Sequence, residues 1–584
     1  MKIDKIFLAM LGLIFIMPAC DLLEPETIIN TDLERVKNDP ELAEGLVQTA
    51  YTQIPTNDYR WDEVATDDAV TNDQFSGYMR MATGEWTSLY NPQNIWDNSN
   101  RAILYVNQFL EVVDEVPFKW TNEKQNELFK RRLSGEAYLM RGLHKYFLLR
   151  NHGGMGSNGQ MLGIQIYNDF LEADGDFQKA RAGFTESVES AYDDLDEAIA
   201  RLPMDYGNIS DLSELESGFA DVDDVDNYNQ VFGNAMKQKA SARIAKAFKA
   251  RLALLAASPA FNENNDSGLW ETAADYTAEL LDDIGDISGI DPTGHTFYMG
   301  DQVDGVDVSN NDIMAEILWR RPYYTNNARE SSNFPPSIHG NGRINPTQDL
   351  VDAFPMANGY PIDDANSNFD ESDPYTNRDP RLSLYIVYNG STMRGETINT
   401  TSGGGDDGLD NMEYSTRTGY YMKKLLREDV NVDPASSSSQ RHFNTHIRYT
   451  ELFLNYAEAA NEAWGPDASP GHTYTAKDVI RALRERAGIE QPDNYLSSIN
   501  NQDDMRELIR NERRLELSFE SHRFWDLRRW DENLSAPATG VRIENGNYTI
   551  FDVERRDYND YMKYGPIPGN EVSRFGVTQN EGWN

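Results

Sequence analysis

The sequence predicts a mainly α-helical fold of paired helices, with long loops between them and a few short β-hairpins. Three observations predict it. Apolar residues recur at helical spacing through much of the chain, aperiodic polar stretches interrupt them, and one Asn-Gly pair sits between short alternating runs. In chain order, residues 95–115, 123–151 and 185–202 carry helical periodicity. Ala240, Ile244, Phe248, Leu252 and Leu255 continue it until Pro259, which lacks an amide proton and stops the helix. The alanine-rich face of 240–257 lets a neighbouring helix come close. Tyr449, Leu452, Phe453, Tyr456, Ala457 and Ala460 form a further stripe, and the charges of residues 509–530 also follow a helical spacing. Residues 161–166 and 317–319 read as strands. Residues 542–551 read as a hairpin, because Asn545-Gly546 supplies the two positive φ angles of a type I′ turn. Helices of this length, joined in pairs, suggest helix-turn-helix units like tetratricopeptide repeats.

Between them lie residues 204–231, 285–312 and 397–418, acidic or rich in Gly, Asp, Asn and Thr. Loops of that length in a compact chain commonly carry function. The N-terminus is different. Lys2 and Lys5 precede an apolar run over 6–17, then come Pro18, Ala19 and Cys20, the only cysteine in the chain. A charged start, an apolar middle and a small residue before the cut make a secretory signal, here residues 1–19. The run is shorter than the about 20 residues needed to span a bilayer. A cysteine at that junction points to lipidation of Cys20, although Met17 and Pro18 stand where leucine and a small residue are commoner. With that thiol acylated no intrachain disulfide is left, so folding rests on core packing.

The net charge of -43 argues against nucleic acid as a partner and favours neutral ligands over anionic polymers. Enzyme signatures fail on context. Gly154, Gly156 and Gly159 have dinucleotide-motif spacing, but they follow a helix and precede a strand, the reverse of what a pyrophosphate cradle needs. His442 and His446 are four apart without the glutamate of a zinc protease. With 96 acidic residues, a glycosidase pair can always be drawn and carries no information. No cofactor is expected. Asp406, Asp407 and Asp410 around Gly408 offer a structural calcium site, without EF-hand spacing.

Residues 509–530 (Ile-Arg-Asn-Glu-Arg-Arg-Leu-Glu-Leu-Ser-Phe-Glu-Ser-His-Arg-Phe-Trp-Asp-Leu-Arg-Arg-Trp) resemble the C-terminal signature of the SusD/RagB family of outer-membrane lipoproteins. Asn345-Pro346 with Phe354-Pro355, Asn377-Arg-Asp-Pro-Arg-Leu382, residues 418–424, 447–459 and 484–488, and Glu136 to Phe147 agree with it in order. The resemblance implies four tetratricopeptide-like units and a surface lipoprotein anchored through Cys20 in the outer membrane. It implies a non-catalytic protein that binds nutrient glycans and serves as a lid on a SusC-type TonB-dependent transporter. A peptide-binding member and a surface glycoside hydrolase are the alternatives. It divides the chain into a signal peptide 1–19, a lipidated tether 20–34, an N-terminal region 35–330 with variable binding loops, and a C-terminal region 331–584. The signature residues Glu512, Arg523 and Asp526 are expected to hold the scaffold and not the ligand.

A glycan site needs exposed aromatic rings for the apolar faces of sugars, flanked by groups that bond hydroxyls. In the family part of this cradle follows the first helix. Here that segment offers Asp67, Asp68, Tyr78, Arg80, Trp86 and Tyr90, with Trp86 the foremost platform and the aspartates equally suited to turns. A second contribution comes from mid-chain, where Trp319, Tyr323 and Tyr324 stand. Trp319 ends an apolar run, which leaves core and ligand roles both open.

Overall fold

The computed structural model describes residues 33–120, 122–172 and 175–583. The signal segment 1–19, Cys20 and nearly all of the tether 20–34 lie outside the described residues.

Helices α1 (Pro40–Thr52), α2 (Trp96–Val112), α3 (Glu123–His152), α4 (Phe184–Arg201), α5 (Ala242–Ala257), α6 (Ser267–Asp282), α7 (Tyr449–Trp464) and α8 (Ala476–Ala487) form a serial array. Each packs on the one before it and the one after it, which is the predicted repeat architecture. Their ends obey local chemistry. Asp39, Asn122, Ser241 and Thr475 accept hydrogen bonds from the orphan amides of the first turns. α8 stops at Gly488, whose φ of +91° suits only glycine. Gly142 of α3 lies where α4 crosses: a Cβ there would stand 2.9 Å from the Leu195 Cγ.

The stretch 509–530, predicted as one helix, is two. Helix α9 (Gln502–Glu516) ends, the chain turns through Phe519 and Ser521 at φ of +62° and +60°, and α10 (Arg523–Arg529) follows. The charges do not satisfy each other along one helix face, as the spacing suggested; most reach far across the chain. Glu512 and Glu516 both take the Arg381 guanidinium, whose other side holds Asp379 at 2.7 Å. Glu520, carried on the turn, accepts both Nε and Nη2 of Arg448 at 2.8 and 2.9 Å and the Lys424 ammonium at 2.7 Å. Arg448 also reaches Glu316 at 2.7 Å. All these side chains are buried. Arg513 meets Asp526 at 2.7 Å, and Asp526 also takes Arg529.

Residues between α6 and α7 and after α9 pack into a second apolar core around Phe334, Phe354, Tyr385, Tyr421 and Phe519. Its strands are short antiparallel pairs: Ala69–Thr71 with Ile344–Pro346, Ile317–Arg320 with Thr445–Arg448, and Tyr324–Asn326 with Gln440–His442. The hairpin Ala538–Glu544 with Asn547–Glu554 turns at Asn545 and Gly546, at φ of +52° and +80°. Gly154–Met155 pairs with Met161–Leu162, so those glycines belong to a hairpin rather than a nucleotide cradle. Only the first two residues of the strand read over 161–166 form one.

Burial keeps four histidines neutral: it pushes His144, His152 and His522 down to about 4 and His446 to about 3. The unfolded chain gains protons below about pH 6.5 that these folded imidazoles refuse, so stability falls as pH drops from there toward 4. Burial alone would raise Glu451 and Asp526, but Arg251 and Arg513 hold both down to about 2. Their contribution is complete above the ordinary carboxylate range and vanishes between about pH 4 and pH 2. Melting temperatures by circular dichroism should therefore decline from about pH 6.5 and steepen below about pH 4. A flat melting temperature from pH 7 to 4.5 would contradict the histidine contribution.

Candidate functional site

An open pocket of about 470 Å³ lies between the start of the variable segment and the second core. The chain leaving α1 contributes Asp58, Tyr59 and Trp61, and strand Tyr324–Asn326 contributes Tyr324. The short helix Ala328–Asn333 adds Arg329 and Asn333, and Asn444 comes from the link between Gln440–His442 and Thr445–Arg448.

Trp61 has φ +54°, a left-handed backbone rare for a bulky side chain. Such strain persists only where the surroundings impose it, commonly at functional sites. Here it sets the half-buried indole beside the Tyr59 ring, centroids 5.7 Å apart and tilted by 45°. The Tyr59 hydroxyl is 3.0 Å from the Thr445 Oγ1, and burial pushes it up to about 12, so it stays a neutral donor. Arg329 braces the opposite wall. It donates to the Tyr324 hydroxyl at 2.9 Å, the Asn444 Oδ1 at 2.7 Å and the Leu425 carbonyl at 3.1 Å, and its guanidinium lies 5.1 Å from the Tyr59 centroid. Tyr324 donates in turn to Asn444 at 3.0 Å. Asn333, 1% exposed, keeps its Oδ1 without a partner among the described residues, although buried amide oxygens normally have one. Arg321 pairs with Asp58 at the rim. The pocket thus offers three rings and a set of amide, hydroxyl and guanidinium groups.

Of the residues singled out in the sequence, Tyr324 alone lines this pocket. Trp86 is corrected: it is 5% exposed, packed 4.9 Å from Trp583 and 5.8 Å from Phe524, with its indole N–H donating to Asn91 at 3.1 Å. No face is left for a ligand. Trp319 is likewise core, 3% exposed against Phe248 and His446. Asp68 is buried and paired with Arg514 at 2.6 Å. Asp67 is gripped by Arg523 at 2.9 and 2.7 Å, so both aspartates tie the variable segment to α9 and α10. Burial raises Asp67, but Arg514 and Arg523 outweigh it and hold the carboxyl far below its ordinary range. Tyr78 packs half-buried against the second core. Arg80 pairs with Glu85 and lies 4.5 Å over the Tyr90 ring, a surface cluster outside the pocket. Tyr323 packs against Phe443 and the Arg320 guanidinium.

Asp406 and Asp410 are exposed while Asp407 turns inward to accept from the Ser337 amide at 2.9 Å. Among the described residues no group of three or more His, Cys, Asp or Glu side chains is placed to hold a metal ion. Sequence reasoning missed Tyr59 and Trp61. The aperiodic alternation of aromatic and charged residues in Asp58-Tyr59-Arg60-Trp61 was the available signal.

A SusD family model matches residues 313–583, and a model described as starch-binding and associating with the outer membrane matches residues 24–213. The chain belongs to the SusD/RagB family. SusD-like protein P25 of Formosa agariphila is 34% identical over 110 residues, a match spanning 19% of each chain. A SusD-like protein of Bacteroides fragilis has the same fold at 22% identity and TM-score 0.70, over 94% of this chain and 98% of its own. A SusD-like carbohydrate binding protein of that species gives 20% and 0.65, over 92% and 98%. Surface glycan-binding protein A of Bacteroides fluxus gives 15% and 0.56, over 94% and 100%. No helix among the described residues is long and apolar enough to cross a membrane.

Since the SusD/RagB scaffold here encloses Trp86 in a core, Trp86→Ala should cost about 3–5 kcal/mol of stability, as large aromatic truncations do. In protein that remains folded, ligand affinity should not change. Thermal denaturation and titration calorimetry of the same preparation separate the two effects.

Proposed function

We propose that this protein binds glycan chains at the cell surface in the Tyr59–Trp61–Tyr324 pocket and hands them to a SusC-type TonB-dependent transporter, anchored by lipid on Cys20. The observation that carries the reading is the strained Trp61 beside Tyr59 on the wall of an open pocket. Rings receive the C–H faces of sugars, and amide and hydroxyl groups on a pocket wall bond their hydroxyls. Relatives of the same fold named as carbohydrate-binding and glycan-binding support the ligand class. Binding rather than hydrolysis is favoured because the pocket offers one carboxylate, Asp58, already paired with Arg321, where glycoside hydrolysis uses two.

Trp61→Ala should weaken oligosaccharide binding by about 1–3 kcal/mol, the scale of stacking on an aromatic face, without loss of fold. Unchanged affinity in titration calorimetry would remove the pocket from the function, and release of shortened oligosaccharides by purified protein would replace binding with catalysis. In native membranes, radioactive palmitate should label the wild type and not Cys20→Ala, and the labelled protein should co-purify with a large β-barrel. Repeated recovery without one would defeat the transporter assignment.

A further inference from the structure

We propose that the glycan taken by this pocket is anionic, carrying carboxylate or sulfate groups, and that Arg329 is the residue that selects for the charge; this rests on the glycan reading above. The chain as a whole is strongly acidic. Many of its buried arginines are matched by carboxylates, as Arg381, Arg448, Arg513 and Arg529 are, while others such as Arg181 and Arg378 are capped by backbone carbonyls inside the fold. Arg329 differs from both groups in lining an open pocket. Arg329 bonds a phenol, an amide oxygen and backbone carbonyls, and no carboxylate among the described residues pairs with it. The only carboxylate lining the pocket, Asp58, is taken by Arg321. One positive charge is therefore left over on the wall facing Tyr59 and Trp61.

The bias continues inward. A smaller, largely enclosed chamber of about 80 Å³ shares Asp58 and Tyr59 with the pocket. Its other ionic groups are mostly paired, Arg251 with Glu451 and Arg448 with Glu520 among them. Arg60 and Arg150 are not. Arg60 reaches the carbonyls of Pro55 and Pro92, at 3.3 and 3.5 Å, and the Tyr78 hydroxyl. Arg150 stacks 3.8 Å over Trp525 and donates through Nε alone, to Asn151 at 3.2 Å. Asp62 faces them and gives one oxygen to Gln93, its other oxygen unpartnered. A guanidinium presents donors in a planar fork that matches carboxylate and sulfate, and charge-assisted bonds exceed neutral ones in strength. Chamber and pocket together are lined by more guanidinium than carboxylate, against the net charge of the chain.

Titration calorimetry with three oligosaccharide probes tests this: polygalacturonate for carboxylate, a sulfated galactan for sulfate, and the same galactan desulfated as the neutral reference. At least one charged probe should bind about tenfold or more tighter than the neutral one, with affinity that falls as salt rises. Arg329→Gln should remove that preference, and Arg329→Lys should retain part of it. Which charged probe responds tells carboxylate from sulfate. Because Arg329 also braces Tyr324 and Asn444, the salt dependence and probe ranking of the wild type are read first and stand without any variant. Equal or tighter neutral binding, still abolished by Trp61→Ala, would overturn the charge selection and keep the glycan pocket. No binding of any probe would overturn both.

Discussion

The buried charge network around Arg381 and Arg448 is the constraint on which the rest of the molecule depends. Glu512 and Glu516 come from α9, Glu520 from the turn after it, Arg448 from the start of α7, and Asp379, Arg381 and Lys424 from the second core. Each ion alone would be costly to bury; each here has two or more partners of opposite sign or fixed dipoles. Replacing such a net by apolar groups is often neutral in stability, so its value lies in geometry. It lets only one arrangement of helices and loops satisfy every charge. Removing a single member leaves the others stranded in low dielectric, which is the severe case.

The path from that net to the pocket is short. Glu520 fixes the turn through Phe519 and Ser521, and the turn aims Arg523 at Asp67 while Arg514 of α9 takes Asp68. Ser521 also donates its amide to Glu63. The segment that carries Tyr59 and Trp61 is thereby tied down at its C-terminal end. At its other end Asn444 donates to the Asn57 carbonyl at 2.7 Å. Strand Thr445–Arg448, which follows Asn444, ends in Arg448 itself. The rings of the pocket thus stand on a loop whose two ends are fixed by one ionic scaffold, and the positive φ of Trp61 is a strain such a frame can sustain.

What was legible in the sequence was local in origin. The stripes of α2 to α5 and of α7 repeat within a few residues, and Asn545-Gly546 encodes its own turn, so both could be read without knowing the partners. The stretch 509–530 misled for the same reason. Its charges match helical pairing, but their partners lie roughly 70 to 135 residues away, and the break at Phe519 is made by those partners. Trp86 and Tyr59 show the limit for sites. An indole in a variable loop looks exposed until the residues that cover it, Phe524 and Trp583, are known to arrive from the far end of the chain. Conversely, Tyr59 and Trp61 lack a period and sit just ahead of the segment where binding residues were sought, and Arg329 and Asn333 gain meaning only when the Tyr324–Asn326 strand brings them opposite.

Bulk charge and pocket charge answer different questions, and the sequence supplies only the first. A net charge of -43 spread over the surface sets a long-range field that turns anionic polymers away at low salt. At physiological ionic strength that field is screened over about 8 Å. Within the pocket the distances are shorter than this, and the nearest unmatched charge is the Arg329 guanidinium. Contact there is governed by two or three bonds of fixed geometry rather than by the sum over the molecule. An acidic surface around a cationic pocket also discriminates: a chain with charge at the wrong spacing meets the repulsion without reaching the guanidinium, while one that places an anion opposite Arg329 and a ring against Trp61 meets both attractions at once. Acidic composition, read alone, pointed to neutral ligands; the placement of three arginines without carboxylates, Arg329, Arg60 and Arg150, reverses that reading for the one surface where it decides the ligand.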